Sequence, residues 1–340
     1  MNKICVLGAG SWGTALAVHL ADLHDSVWLW GRPEDGIESI TAEHENRRFL
    51  PGIYIPENIF PTTDPALALQ DADVVVISVP SQALRMVMEK LKPHIPTHSY
   101  LVNTAKGLEI STGMRLSQVM REVLGSSWRG RFAVLSGPSH AEEVSLRLPT
   151  AVTVAAYNQD TAFYIQDIFM DQYFRVYTNP DVAGVELGGA LKNIIALATG
   201  ITYGLGYGDN TAAALLTRGL AEMIRMGAAM GGDPRTFSGL SGIGDLVVTC
   251  GSQHSRNRRA GQLLGQGKNL QETLAAIGMV VEGVHTTRIV HQLAIEMNID
   301  MPITKACYRI LYEGEDPREE VDNLMQRRRK HEVEEINYHN

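Results

Sequence analysis

The six residues Gly8-Ala9-Gly10-Ser11-Trp12-Gly13 constrain this chain more than any others. They follow residues 3–7, a short apolar, β-branched run that reads as a buried strand, and they open residues 11–23, which read as a helix. A G-x-G-x-x-G at such a junction has a physical rationale. Gly8 permits a tight turn, Gly10 lets backbone approach a pyrophosphate, and Gly13 lets the helix sit close to the strand. The helix N-terminus adds free N–H groups and positive dipole for phosphate. The pattern therefore predicts a dinucleotide site at the edge of an α/β sheet. The alternative is a loop whose glycines serve packing alone.

The next segments extend that sheet. Residues 26–30 read as a second strand, and Asp73-Val74-Val75-Val76-Ile77-Ser78-Val79-Pro80 is the clearest strand in the chain. Its unbroken apolar character implies burial on both faces, as in a parallel sheet covered by helices. Residues 99–103, 132–136, 151–155 and 175–177 are further strand candidates, with helical segments between several of them, such as 83–90 and 114–124. Alternation of this kind gives right-handed crossovers. After about Pro180 the pattern becomes helical: 182–200, 211–230, 255–264, 269–277, 284–297 and 304–312. The one strand-like run there is 246–248. The expected division is an α/β dinucleotide-binding domain over 1–185, an all-α domain over 186–330, and a charged tail over 331–340.

Length and composition agree. At ~150 residues per domain, 340 residues suit two domains. Asp plus Glu outnumber Lys plus Arg by 38 to 30, for a net charge of −8, which argues against a nucleic-acid binder. The three cysteines, Cys5, Cys250 and Cys307, form no disulfide framework and suit a reducing, cytoplasmic setting. The N-terminus lacks the unbroken apolar core of a signal peptide. Residues 187–208 are nearly uncharged but carry Lys192, Asn193 and several glycines, so a buried helix explains them better than a membrane span. No metal-ligand spacing occurs.

The coenzyme's identity turns on the end of the second strand, where an NAD site usually offers an acid to the ribose 2′-hydroxyl. Here the residues are Trp30-Gly31-Arg32-Pro33. Arg32 could pair with the 2′-phosphate of NADP and stack on adenine. This favours NADP, leaves NAD open because Glu34 and Asp35 follow, and competes with a plain solvated charge for Arg32.

Six ordered motifs now converge. They are Gly8-Ala9-Gly10-Ser11-Trp12-Gly13-Thr14-Ala15-Leu16-Ala17, Val79-Pro80-Ser81-Gln82, Asn103-Thr104-Ala105-Lys106-Gly107-Leu108-Glu109, Ser136-Gly137-Pro138-Ser139-His140-Ala141, Glu186-Leu187-Gly188-Gly189-Ala190-Leu191-Lys192-Asn193 and Ser255-Arg256-Asn257-Arg258-Arg259. Together they closely resemble the bacterial NAD(P)-dependent glycerol-3-phosphate dehydrogenases, in matching order to about residue 312. The resemblance implies a Rossmann-like domain joined to a helical one with the site between them. It also implies reversible reduction of dihydroxyacetone phosphate to sn-glycerol 3-phosphate, a product that feeds phospholipid synthesis, and a possible homodimer.

The residues make chemical sense for that reaction. Lys192 lies in an apolar, Gly-rich helix, where desolvation lowers an ammonium's pKa toward that of a working base. The resemblance makes it the proton acceptor; the alternative is a lysine snorkelling to solvent. Lys106 follows a strand end, and the resemblance places it near substrate and cofactor. Gly137 and Ser139 border substrate in the same way, and Ala141, Val280 and Glu282 reach the cofactor beside Gly8, Gly10, Ser11, Trp12, Gly13 and Arg32. Asn193 and Asp245 are the polar positions expected around Lys192, with Thr249 joining them; helix capping is the alternative for Asp245. Ser255, Arg256 and Asn257 open a helix with hydroxyl, guanidinium and amide, a set suited to the substrate phosphate. Arg256 also touches cofactor by resemblance, while Arg258 and Arg259 are expected to face solvent or acids. A dehydrogenase for another hydroxy acid and a non-catalytic dinucleotide sensor are the competing readings.

Overall fold

The computed structural model describes residues 2–329 and 331–332. Ten strands order the first half: β1 Ile4–Leu7, β2 Val27–Trp30, β3 Glu45–Asn46, β4 Leu50–Tyr54, β5 Ile59–Thr62, β6 Val74–Ile77, β7 Tyr100–Asn103, β8 Phe132–Ser136, β9 Thr150–Ala156 and β10 Phe174–Asn179. Eight of them form one sheet in the order β10-β9-β8-β7-β6-β1-β2-β5, while β3 and β4 make a separate hairpin.

The apolar runs give this sheet two buried faces. Ile4, Val6, Val74, Val76, Val102 and Leu135 belong to one core cluster. Their neighbours Cys5, Leu7, Val75, Ile77, Leu101 and Val134 belong to another. Alternate side chains point to opposite faces, so a strand apolar at every position must be covered twice. The chain runs from β1 outward to β5, then returns to β6 and continues the other way. That reversal leaves a crevice beyond the carboxyl ends of β1 and β6, where ligands collect in open α/β sheets.

The sheet departs from parallel pairing at one place. β8 and β9 pair antiparallel, with Ser136 opposite Thr153. Between them the chain forms only the five-residue helix Ala141–Ser145, so it folds back at the crevice end. A parallel return would require a crossover packed along a sheet face. β9 and β10 are parallel again, joined through the helix Gln159–Phe169.

The helix Val182–Gly204 is the axis of the second half. It is long and apolar enough to cross a membrane, but 94% of its apolar window is buried inside the protein, which makes it a core helix. Helix Arg256–Gly265 packs against it at very short range. A Cβ on Gly200 would lie 2.1 Å from the Arg258 carbonyl oxygen, and one on Gly261 would lie 2.0 Å from that of Leu197. Only glycine permits that approach. Around the axis lie Asp209–Ala229, Leu270–Ile277, Glu282–Glu296, Pro302–Tyr308 and Pro317–Met325.

The run 246–248 is helix, not strand. It lies in Asp245–Gly251, where Leu246, Thr249 and Cys250 are buried at helical spacing and the valines between are not all buried. The three cysteines are free and buried. Of the expected charged tail over 331–340, residues 333–340 lie outside the described residues.

Candidate active site

The dinucleotide loop is tight on one side and open on the other. Gly8 has φ +116°, and a Cβ there would lie 2.6 Å from the Ser78 carbonyl oxygen at the end of β6. A Cβ on Gly13 would lie 1.9 Å from the Gly8 oxygen, whereas one on Gly10 would meet nothing within 4 Å. Close packing at two glycines and free space at the third fit a loop that brings backbone against a pyrophosphate. Ser11 begins the helix Ser11–Leu23. Trp12 is partly buried, and its indole N–H is buried without a hydrogen-bond partner among the described residues.

Residues that the motif does not contain hold this loop. The buried Asn46 amide donates to the Ala9 carbonyl at 2.9 Å and to Thr14 Oγ1 at 2.8 Å, and its Oδ1 accepts from the Phe49 N–H at 3.2 Å. The Ser11 hydroxyl donates to the Phe49 carbonyl at 2.6 Å. The β3–β4 hairpin thus clamps the loop. Sequence reasoning missed Asn46 because it stands in a polar segment, His44-Glu45-Asn46-Arg47-Arg48, that reads as surface. Ala141 is buried against Ala15, Leu50 and Trp12, which sets it beside the loop.

Arg32 is exposed just past β2. Its guanidinium forks onto Asp35 at 3.2 and 2.9 Å and reaches Glu34 at 3.2 Å.

The second cluster gathers side chains from distant segments. Lys192 is buried in the long helix, and its Nζ donates to Asp245 Oδ1 and, at 2.7 Å, to Thr249 Oγ1. Lys106 comes from the loop after β7; its Nζ donates to Asp245 Oδ2 at 2.7 Å and to the Gly137 carbonyl at 3.0 Å. One carboxylate therefore bridges two ammoniums. Asp245 sits at the first turn of Asp245–Gly251, but its side chain serves the lysines rather than capping the helix. Burial pushes Lys192 down to about 8, with Asp245 opposing and Lys106 adding to that fall. Burial alone would raise the Asp245 carboxyl, yet Lys106 and then Lys192 hold it below the usual carboxylate range.

Ser139 Oγ donates to the Gly137 carbonyl at 3.0 Å, so both residues border Lys106. Asn193 Oδ1 accepts from the Asn257 amide at 2.9 Å, and Asn257 Oδ1 accepts from the Gly283 N–H at 2.8 Å. This chain ties three helices together behind Lys192. Ser255 caps Arg256–Gly265, its hydroxyl accepting from the Arg258 N–H at 3.2 Å. Arg256 is exposed as a residue, but burial pulls its guanidinium below the usual arginine value, with Glu282 and then Glu142 opposing, and it enters none of the hydrogen bonds or ion pairs among the described residues.

Arg258 corrects the sequence reading. It is buried with its guanidinium 4.8 Å over the Tyr203 ring, and its Nε and Nη1 lack hydrogen-bond partners among the described residues. The close approach at Gly200 and Gly261 draws that side of the helix into the core. Arg259 is exposed as expected.

Glu282 begins Glu282–Glu296 and reaches across to the sheet, accepting from Ser81 Oγ at 2.7 Å and from Ser81 N–H at 3.3 Å. Burial pushes its carboxyl up, and Ser81 pulls it back. Val280 is exposed just before it. His140 was not singled out by sequence. Its Nε2 is buried and unpartnered among the described residues, and burial, followed by the charges of Lys192 and Lys106, pushes the imidazole down.

Comparison with known proteins agrees with this geometry. Residues 3–162 match the family described as the N-terminus of NAD-dependent glycerol-3-phosphate dehydrogenase, and residues 181–322 match its C-terminus. A glycerol-3-phosphate dehydrogenase [NAD(P)+] of Syntrophomonas wolfei is 65% identical over 336 residues, covering 99% of this chain and 98% of the relative. One from Moorella thermoacetica is 57% identical, covering 98% of each. The crystal structure of glycerol-3-phosphate dehydrogenase from Coxiella burnetii superposes with a TM-score of 0.91 at 42% identity, covering 96% of this chain and 99% of that one. With both halves matched in order and the two clusters facing one crevice, this chain belongs to the NAD-dependent glycerol-3-phosphate dehydrogenase family.

Proposed function

We propose that this protein interconverts dihydroxyacetone phosphate and sn-glycerol 3-phosphate, with NADP preferred over NAD, in the cytoplasm, where the product supplies phospholipid synthesis. The observation that carries the reading is the buried Lys192, pushed down to about 8 and bridged by Asp245 to Lys106. A bound nicotinamide supplies the hydride acceptor or donor at substrate C2. Gly8, Gly10, Ser11, Trp12, Gly13, Arg32, Lys106, Ala141, Arg256, Val280 and Glu282 would hold the cofactor.

In the oxidising direction, neutral Lys192 takes the proton from the C2 hydroxyl. In the reducing direction its ammonium returns that proton and, with Lys106, polarises the ketone. Asp245 keeps both cations in place and lets them approach each other despite their like charge. Gly137, Ser139 and Asn193 would line the substrate, and Ser255, Arg256 and Asn257 would take the phosphate. Arg256 suits this role because burial disfavours its lone charge and its fork has no ion-pair partner among the described residues, so a dianion would offset that cost with both prongs.

The expected domain division at 185/186 falls inside the helix Val182–Gly204. We propose the same division, because Val182 and Val185 pack with the sheet, while Leu187 and Ala190 pack with the helical core. A homodimer remains a proposal of family likeness.

The direct test is NADPH oxidation followed at 340 nm with dihydroxyacetone phosphate supplied and then withheld. Substrate-dependent oxidation is the expected result. Faster turnover of an unphosphorylated hydroxy acid would defeat the reading.

A further inference from the structure

The adenosine end of the crevice carries two opposite charges locked together. Arg32 Nε lies 3.2 Å from Asp35 Oδ2, and Nη2 lies 2.9 Å from Oδ1, a fork-to-fork pair. The Arg32 N–H also donates to Asp35 Oδ2 at 2.9 Å, which fixes the carboxylate against the backbone just past β2. The arrangement is built into the turn. Pro33–Asp35 forms one 3-10 turn closed by Gly36 at φ +80°, so Asp35 is brought back over Arg32. The arginine side chain is 55% exposed, the aspartate only 13%. Arg48 stands next to them, donating to the Glu34 carbonyl from the hairpin that clamps the dinucleotide loop.

Two coenzymes make opposite demands at this point. A ribose 2′-hydroxyl is best met by a carboxylate, and a 2′-phosphate by a guanidinium with both prongs free. The structure offers both groups, but each is the other's partner. We propose that Asp35 is a specificity-determining residue for the coenzyme: it occupies the fork that a 2′-phosphate needs and supplies the acceptor that a 2′-hydroxyl needs. Asp35 thereby holds the NADP preference of Arg32 in check and keeps NAD usable. The inference rests on the reading of Arg32 as the 2′-phosphate contact. It places in one turn the dual use that sequence left open between Arg32 and the acids after it.

The test uses fragments that bear no nicotinamide, so it stands whether or not the proposed substrate is correct. Affinities of the full-length protein for adenosine 2′,5′-bisphosphate and adenosine 5′-monophosphate are measured by calorimetry. Asp35→Asn keeps the shape of the turn and a side-chain oxygen to accept from the Arg32 N–H. It should raise the preference for the bisphosphate by about threefold to fivefold, the scale of an exposed charge pair. The kcat/KM ratio for NADPH over NADH should rise by a similar factor. Asp35→Ser should act in the same direction, and thermal melting of both variants controls for folding. In an Arg32→Ala background the gain in bisphosphate affinity on Asp35→Asn should vanish, while the loss of monophosphate affinity should remain. An unchanged bisphosphate preference in Asp35→Asn overturns the inference. So does an equal gain with Arg32 absent, which would mean that Asp35 acts only through its general negative field. If Arg32→Ala alone leaves bisphosphate affinity unchanged, the reading of Arg32 is what fails, and the role of Asp35 falls with it.

Discussion

The two ends of the crevice are assembled in opposite ways. The dinucleotide loop comes from one contiguous stretch, Gly8 to Gly13, packed on the end of β6 and clamped by the β3–β4 hairpin. The proposed chemical centre comes from Lys106, Lys192 and Asp245, the outer two 139 positions apart, held by charge, with Lys192 and Asp245 buried and Lys106 half-buried. The loop depends on the absence of side chains. The centre depends on three ionisable groups, of which the buried two, Lys192 and Asp245, would each be costly to leave unpaired. Damage to the first should appear in cofactor affinity, and damage to the second in turnover.

Lys192→Met gives the largest effect and the sharpest break of that comparison. The methionine keeps the packing of the stem and removes the proton carrier. Turnover should fall ~10²–10⁴-fold, the usual contribution of an acid–base group. NADPH affinity, read by fluorescence, should hardly change. A folded Met variant with a tenth of parental kcat would transfer the proton step elsewhere, with Lys106 next in line.

Arg256→Ala comes second. Removing this fork from a phosphate dianion should cost ~2–4 kcal/mol of transition-state binding with dihydroxyacetone phosphate. Unphosphorylated dihydroxyacetone should react poorly with the parent and no worse with the variant. An equal loss on both ketones would show that Arg256 supports the fold or the cofactor instead.

Arg32→Asp, third, stays at the loop end. It should reverse much of any NADPH preference, by about 10- to 100-fold in the ratio of kcat/KM values, the range expected for ~1.5–3 kcal/mol from a hydrogen bond to a charged group. Turnover with saturating coenzyme should stay near parental, since the substitution is remote from Lys192. A ratio that does not move would remove Arg32 from the coenzyme site.

The contrast also explains what the sequence disclosed. The loop was legible because its information is local: a strand, three spaced glycines and a helix. Lys192 stood out as a cation in an apolar helix. Asn46 was not legible, and Ser81 stood in a motif without a role, since each acts through hydrogen bonds to distant partners, Asn46 to Ala9 and Ser81 to Glu282. Arg258 was misread because a charge near a helix start ordinarily faces water, and the close approach at Gly200 and Gly261 reverses this. The antiparallel turn from β8 to β9 was hidden for a related reason. Period and composition report burial of a strand, and its direction is set by the connection.

The smallest expected effect is also the one that separates the members of the centre. Burial holds Lys192 near 8, against an ordinary lysine value of ~10.4. With Lys192 in the proposed role, oxidation of glycerol 3-phosphate uses the neutral amine, so its kcat should rise with pH and level off above about 8; reduction uses the ammonium and should fall over the same range. Asp245 raises the lysine's value and Lys106 lowers it, so their variants should move the midpoint in opposite directions. Asp245→Asn should shift it down, and Lys106→Met should shift it up. The sign carries over to stability. Between about 8 and ~10.4 the unfolded chain keeps a proton that the folded site has released, so this group makes the protein more stable as pH rises through that window. Lys192→Met should remove that part of the slope in denaturant titrations at stepped pH. If the midpoint moves the same way in both partner variants, Asp245 and Lys106 do not act on Lys192 as opposing charges. The bridge seen between them would then serve only to hold the two halves of the chain together.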